Sequence, residues 1–325
     1  MSLAAVSSPP WRLTDLRPSP DDILGDALAG LAATPKRLPS KYFYDAAGSR
    51  LFEDITRQPE YYPTRVELAL LADRGADIAR ALGPWLHVVE YGSGSGRKTE
   101  LLLQALDAPV GYTAVEISRA TVLATTARLA ERFPNIPMLP VCAAFTRPVP
   151  LPAPPVPPRG RLLFFPGSTL GNFDDAEAVA LLSAMRATVG EGGRVLVGID
   201  LVKDADVIQA AYNDAAGVTA AFTRNLLARL NREVGSDFDL HAFRHRAVYA
   251  AERERIETDL VSTRAQTVHV AGHAFAFAAD EAMRVEISAK YTDRGFAALA
   301  ARAGLRVIDG WNDPRDWFGL RLLQA

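Results

Sequence analysis

Cysteine is almost absent from this 325-residue sequence, with Cys142 the single example. One thiol can neither close an internal disulfide nor build a Cys-ligated zinc or iron–sulfur centre, and its rarity suits a reducing compartment. An excess of charge of either sign is also missing. Lys and Arg number 36 against 38 Asp and Glu, a formal net charge of −2, so no overall basic field exists for sequence-independent nucleic-acid binding. No uninterrupted apolar run reaches the ~18 residues that a membrane span requires. Residues 1–11 lack the basic-then-apolar order of a secretory signal. The expectation is a cytoplasmic monomer acting on a small molecule, with neither nucleic acid nor membrane as partner. Hydrophobic residues make up 49% and charged residues 23%, which places the chain among globular proteins and excludes fibrous or wholly disordered classes.

The chain changes rhythm along its length. Residues up to Arg17 are Ser/Pro-rich and read as a loose or wrapping arm, and Asp21 to Ala33 has helical spacing. An aromatic-dense stretch beginning at Lys41 follows, and Pro63 opens a helix reaching Leu82. From Leu86 strands and helices alternate. Strands are predicted over 86–91, 110–116, 138–141, 161–165 and 194–200, and helices over 98–106, 118–132 and 174–189. A proline-rich connector runs over 147–158. Such alternation predicts a parallel α/β sheet. It breaks near Leu201, where 204–232 reads as helical and 256–262, 267–270 and 273–277 alternate like antiparallel strands. Helix returns over 292–303. The chain closes with strands 305–311 and 317–324 around an Asn312-Asp313-Pro314 turn.

Three segments carry chemistry. Glu90-x-Gly92-x-Gly94-x-Gly96 follows the first strand of the alternation, where glycines let a backbone approach a ligand and helix N–H groups face it. The dinucleotide pattern requires glycine where Arg97 stands, and the actual spacing resembles motif I of the class I S-adenosylmethionine methyltransferases. Glu116 ends the second strand and suits a carboxylate accepting both ribose hydroxyls, in nicotinamide and S-adenosylmethionine folds alike. The terminal hairpin resembles the antiparallel seventh strand of the methyltransferases. Asn172, after the fourth strand, can accept an N–H from an amine through its carboxamide oxygen, or it can cap the helix beginning near Asp174. Glu286 and Ser288 are two apart. On an extended segment they share a face and can hold the two nitrogens of an imidazole, and an amphipathic edge strand shows the same pattern. His241 and His245 stand four apart without a third ligand, so no metal site is expected.

Taken together, these segments resemble the histidine-specific Nα-methyltransferases, the hercynine-forming enzymes of ergothioneine biosynthesis. The resemblance runs from about Lys41 to the C-terminus. It rests on Tyr42-Phe-Tyr-Asp with Gly48-Ser and Leu51-Phe, Glu60-Tyr-Tyr-Pro-Thr-Arg65, and Tyr91-Gly-Ser-Gly with Lys98-Thr99. Pro166-Gly-Ser-Thr-Leu-Gly-Asn172, Tyr212-Asn-Asp, and Glu286-Ile-Ser288 with Lys290 complete it. It implies an α/β class I methyltransferase fold, a seven-stranded sheet with an inserted α+β substrate-binding domain. The implied division is 1–61 plus 202–285 for substrate and 62–201 plus 286–325 for S-adenosylmethionine.

By the same resemblance, Tyr61, Asn172 and Tyr212 would hold the amino and carboxylate groups of histidine, with Tyr61 and Asn172 nearest the chemistry. Tyr44 and Phe52 would line the pocket beside the Gly167 loop, and Glu286 and Ser288 would read the imidazole. Glu90, Gly92, Gly94, Lys98, Glu116, Ala144 and Phe145 would serve the cofactor. Two positions depart from the family pattern. Ala144 stands where an acidic residue commonly precedes the Phe beside the adenine. Thr258 stands where Met often flanks the imidazole, which keeps tryptophan on the list of substrates. A nicotinamide enzyme and a non-catalytic S-adenosylmethionine-binding protein are the readings from other classes.

Overall fold

Burial singles out the centre of the molecule, since all six residues of Leu86–Tyr91 are buried. A strand with apolar residues on both faces must lie between two helical layers, as in a parallel sheet. The computed structural model, which describes residues 11–18, 22–94 and 96–325, has this arrangement.

In chain order, β1 (Thr14–Asp15), α1 (Ile23–Ala32), α2 (Ala46–Ile55) and α3 (Tyr62–Leu82) lead into the alternating region. That region comprises β2 (Leu86–Tyr91), α4 (Arg97–Ala105), β3 (Gly111–Glu116), α5 (Arg119–Arg132) and β4 (Val141–Cys142). It continues through β5 (Gly160–Phe165), α6 (Asp175–Val189) and β6 (Arg194–Asp200). Next come α7 (Ala205–Ala210), α8 (Val218–Val234), β7 (Phe243–Ala250), β8 (Arg255–Ser262), β9 (Gln266–Val270), β10 (His273–Phe277) and β11 (Ala282–Ala289). The chain closes with α9 (Asp293–Arg302), β12 (Arg306–Asn312) and β13 (Phe318–Gln324).

The main sheet runs β1-β4-β3-β2-β5-β6-β13-β12. Pairing is parallel from β1 to β6, and β13 joins β6 antiparallel. The seven strands from β4 to β12 give the class I methyltransferase order, with the terminal hairpin inserted beside β6 as expected. Strand alternation divides the apolar residues between the faces: Val89, Leu163 and Val195 pack with α6 and α9, while Val88, Leu162 and Leu196 pack with α3, α4 and α5.

Four local expectations are corrected. The sheet has an eighth strand, because Thr14 and Asp15 pair with Val141 and Cys142; of the expected N-terminal arm, residues 1–10 lie outside the described residues. The third strand of the alternation is not 138–141. Pro140 has no N–H to donate, so regular pairing begins at Val141 and Met138 makes only an isolated bridge to Tyr112. The span 204–232 is two helices, broken where Gly217 takes φ +72° and Asp214 accepts from the amides of Val218 and Thr219. Finally, Phe243–Ala250 is a strand that the sequence reading passed over; it forms a three-stranded antiparallel sheet with β8 and β11.

A third apolar cluster lies away from the main sheet. It gathers Ala27, Leu31, Tyr42, Phe43 and Ile55 with Phe222, Leu226, Leu260, Met283 and Val285, so that residues before α3 share a core with residues from α8 to β11. Leu38 N–H donates to Arg284 C=O at 2.8 Å and Arg284 N–H to Lys36 C=O at 3.0 Å, tying the early segment to the edge of β11.

Candidate active site

Ligands of open α/β sheets bind beyond the carboxyl ends of the strands. Here Tyr91, Glu116, Gly167 and Asp200 stand at or just past the ends of β2, β3, β5 and β6. The loop after β2 turns on Gly92 and Gly94, at φ +73° and +48°, where a side chain would be strained. A Cβ built on either meets nothing within 4 Å, so open space lies against this backbone. Glu116 faces the loop. Burial raises its pKa, opposed by the backbone amides of Gly94, Ser93 and Ile117. Phe145 stacks on Tyr91 with ring centroids 5.3 Å apart and meets Phe165 edge-on at 6.1 Å, while Ala144 is exposed beside it. A glycine floor with free room, a carboxylate at the second strand and a flanking aromatic ring fit an adenosine-bearing ligand.

Glu90 and Lys98 are committed to protein partners. The buried Glu90 carboxylate accepts from Thr99 Oγ1 at 2.7 Å and Tyr112 OH at 2.5 Å, and burial pushes its pKa up to about 7. It braces α4 and β3 beneath the loop. Lys98 Nζ lies 2.5 Å from Glu67 Oε2. The Glu67 carboxylate also accepts the Gly167 N–H, at 2.9 and 3.0 Å to its two oxygens. Glu67 thus fixes both Lys98 and the Gly167 loop.

Across the strand ends, the recess is lined by α2, the start of α3, the loop after α7, and β11. Phe52 packs against Tyr44 at 5.7 Å and Tyr61 at 6.2 Å between centroids, and Phe222 backs Tyr44 at 5.6 Å. Tyr44 keeps 45% of its surface accessible, yet the protein around it pushes its phenol above the ordinary value, as for a side chain lining a recess. The Tyr61 phenol is pushed well above its ordinary value, first by burial and then by Tyr212, Tyr44, Glu286 and Asp200 around it. It therefore stays protonated at any working pH.

A bulge orients β11. Arg284 pairs with Asp259 and Glu286 with Thr258, so Val285 is the extra residue. Asp259 and Thr258 are consecutive and point to opposite faces. Arg284 accordingly turns outward, donating to Asp259 at 2.6 Å and Glu257 at 2.7 Å. Glu286 and Ser288 pair with Thr258 and Ile256, on the face that Met283 and Leu260 occupy in the core. Burial pushes the pKa of Glu286 up to about 7, against the opposing pull of Lys290 and of the Thr258 hydroxyl, 3.5 Å from Oε2. Tyr212 OH donates to Ser288 Oγ at 2.7 Å, and Lys290 Nζ reaches Tyr212 OH at 2.9 Å and Ser288 Oγ at 2.8 Å.

Asn172 ends the short helical turn 169–172 beside this strand. Gly171 permits the approach, since a Cβ there would sit 2.8 Å from the carbonyl oxygen of Ala289. The alternative role for Asn172 is excluded. Asp174 is the N-cap of α6, in a reciprocal capping box with Glu177, and the Asn172 side chain has no hydrogen-bond partner among the described residues. His241 and His245 do not share a helix, for His245 lies on β7 with its ring between Thr223 Oγ1 and the Tyr212 carbonyl.

Sequence reasoning missed the ionic cluster beneath the recess. Asp200 takes Lys290 at 2.9 Å, Lys203 at 2.6 Å and the Tyr62 hydroxyl at 2.8 Å. Burial raises the pKa of Asp200, and the two ammonium groups overcome this to hold it below the usual carboxylate range. Glu67 and Asp200 both carried a signal: one is a charge within the apolar stripe of α3, the other a carboxylate at the end of a central strand.

The profile of the family described as histidine-specific methyltransferase, SAM-dependent, matches residues 23–325. The chain is 44% identical to a histidine N-alpha-methyltransferase of Mycolicibacterium smegmatis, covering 91% of this chain and 93% of that one. It is 39% identical, with the same coverage, to a protein of that name from Mycobacterium tuberculosis. Ergothioneine biosynthesis protein 1 of Neurospora crassa is 27% identical over 89% of this chain and a third of its own length, 33%. On its sheet order, its glycine floor and these matches, the chain belongs to the S-adenosylmethionine-dependent histidine-specific methyltransferases.

Proposed function

We propose that this protein transfers three methyl groups in succession from S-adenosylmethionine to the α-amino nitrogen of L-histidine, forming hercynine for ergothioneine biosynthesis. The observation that carries the substrate assignment is the bulged strand β11, which sets a carboxylate and a hydroxyl side by side facing the tyrosine-lined recess. S-adenosylmethionine supplies an electrophilic methyl group on a sulfonium when bound. Gly92, Gly94, Glu116 and Phe145 would hold it, with Glu90, Lys98 and Ala144 around them.

The remaining work belongs to this chain's residues. The nucleophile must be a neutral amine, and each unit by which its pKa exceeds ambient pH costs about 1.4 kcal/mol. None of the proposed substrate contacts is a strong base. Tyr61 is held protonated, so its oxygen and the Asn172 carboxamide oxygen act as hydrogen-bond acceptors that orient the amine while its proton leaves to solvent. Such positioning supplies up to ~7–11 kcal/mol, which makes a dedicated base unnecessary. Glu286 and Ser288 read the ring beside Thr258, and Tyr44 and Phe52 wall the recess near Gly167. The Tyr212 hydrogen is spent on Ser288, so its contact to the substrate is made by the ring.

The division into a substrate-binding unit, 1–61 plus 202–285, and a cofactor-binding unit, 62–201 plus 286–325, belongs to this reading. It is supported by the shared core of the early and inserted segments. A monomer in the cytoplasm is the corresponding state; among the described residues no helix is long and apolar enough to cross a membrane. Mass spectrometry of histidine incubated with protein and S-adenosylmethionine tests the activity: a gain of three methyl groups is expected, and unmodified histidine overturns it.

A further inference from the structure

We infer that Lys290 is a positioning residue that fixes the direction of the hydroxyls in the ring subsite, so that the site takes an uncharged imidazole with one bare nitrogen. The argument is a count of hydrogens. The Lys290 ammonium is completely buried and has three protons with three acceptors: Asp200 Oδ2 at 2.9 Å, Tyr212 OH at 2.9 Å and Ser288 Oγ at 2.8 Å. Each hydroxyl of the pair therefore accepts from Lys290. The pair has two hydrogens of its own. One is spent between them, Tyr212 donating to Ser288 at 2.7 Å. Ser288 Oγ thereby accepts two bonds and keeps one hydrogen, for which the described residues offer no acceptor.

Glu286 is the complement. Its carboxylate receives only the long contact from Thr258, at 3.5 Å, and shares with Ser288 one face of β11. The strand thus presents one acceptor and one donor. A neutral imidazole offers an N–H to the first and a bare nitrogen to the second. An imidazolium would set a hydrogen against the hydrogen of Ser288. An indole has no bare nitrogen, so it would leave that hydrogen unpaired. Without Lys290 the Ser288 hydroxyl regains a free lone pair and can turn to accept, so the subsite loses its polarity. Asp200 keeps the ammonium in place, itself held by Lys203 and Tyr62.

This inference rests on the reading that Glu286 and Ser288 contact the ring, and the test separates the two. The first measurement uses the unaltered protein with S-adenosylhomocysteine and histidine labelled with ¹⁵N in the ring. One protonated and one bare ring nitrogen in the bound state are expected; two protonated nitrogens overturn the inference. If Glu286→Gln leaves those ring signals unchanged, the reading of the subsite itself fails. The second measurement is Lys290→Met, with Lys290→Met/Asp200→Asn as a variant in which no buried carboxylate is stranded. The preference for histidine over tryptophan is expected to fall at least tenfold, chiefly through KM, with S-adenosylhomocysteine affinity unchanged. A folded variant that keeps the preference overturns the inference, because a merely structural lysine would weaken both amino acids alike.

Discussion

Glu286 carries opposite demands from stability and from binding. Its pKa of about 7 exceeds the ordinary 4.5, so in the folded protein without ligand the carboxyl resists ionisation. Below pH 4.5 both folded and unfolded states hold the proton. Between 4.5 and 7 only the unfolded state releases it, and stability falls as pH rises until the folded group also ionises. Glu286→Gln removes this slope. Denaturant titration is expected to show the variant more stable than the parent by roughly 1–3 kcal/mol at pH 8 and equal to it near pH 4.5. The same variant should bind histidine at least tenfold more weakly and S-adenosylhomocysteine equally, by calorimetry. A parent protein no less stable at pH 8 than its Gln variant would show that the carboxylate is already compensated. At this scale the residues of the recess were legible where they stood in short motifs. Glu67 and Asp200 were legible only as charges in apolar surroundings, because the worth of a buried charge depends on partners such as Lys98, Gly167, Lys290 and Tyr62, 31 to 138 positions away, that only the fold brings near.

Elements decide which of two neighbouring side chains is spent on the fold. Asp174 caps α6, and Asn172 two residues earlier does not. Asp174→Ala is expected to cost about 1 kcal/mol of stability with turnover retained. Asn172→Ala should reduce kcat while leaving the melting temperature close to the parent. Exchange of the two outcomes would reassign both residues. The bulge in β11 offers a sharper test. Deleting Val285 leaves Arg284 opposite Asp259 and Glu286 opposite Thr258, so both keep their faces and only the local twist and the packing of the buried Val285 are lost. Histidine and S-adenosylhomocysteine binding should then both persist, with a lower melting temperature; loss of histidine affinity in the folded variant would show that the twist of the bulge also aims Glu286. The helix and strand rhythm over 86–200 was legible because both faces of that sheet are buried. The bulge was not, since it exists only relative to β8. β7 was missed because His245 interrupts the apolar alternation of Phe243, Ala247 and Tyr249.

On the scale of the whole molecule, Asp200 is where the parts meet. It joins the start of α3 through Tyr62, the end of β6, and β11 through Lys290. Asp200→Ala would leave two ammonium groups without their carboxylate in a buried site, and a loss of about 3–5 kcal/mol is expected in chemical denaturation. An unchanged midpoint would mean that water already reaches the cluster. The shared core of the early and late segments has a further consequence, for synthesis. Residues 27–55 leave the ribosome long before Phe222, Leu260 and Met283, the side chains that cover them. At ~5–20 residues per second, they wait roughly 10–45 s with apolar surface uncovered. The nascent chain must therefore be sheltered, or translated briskly, until its second half arrives.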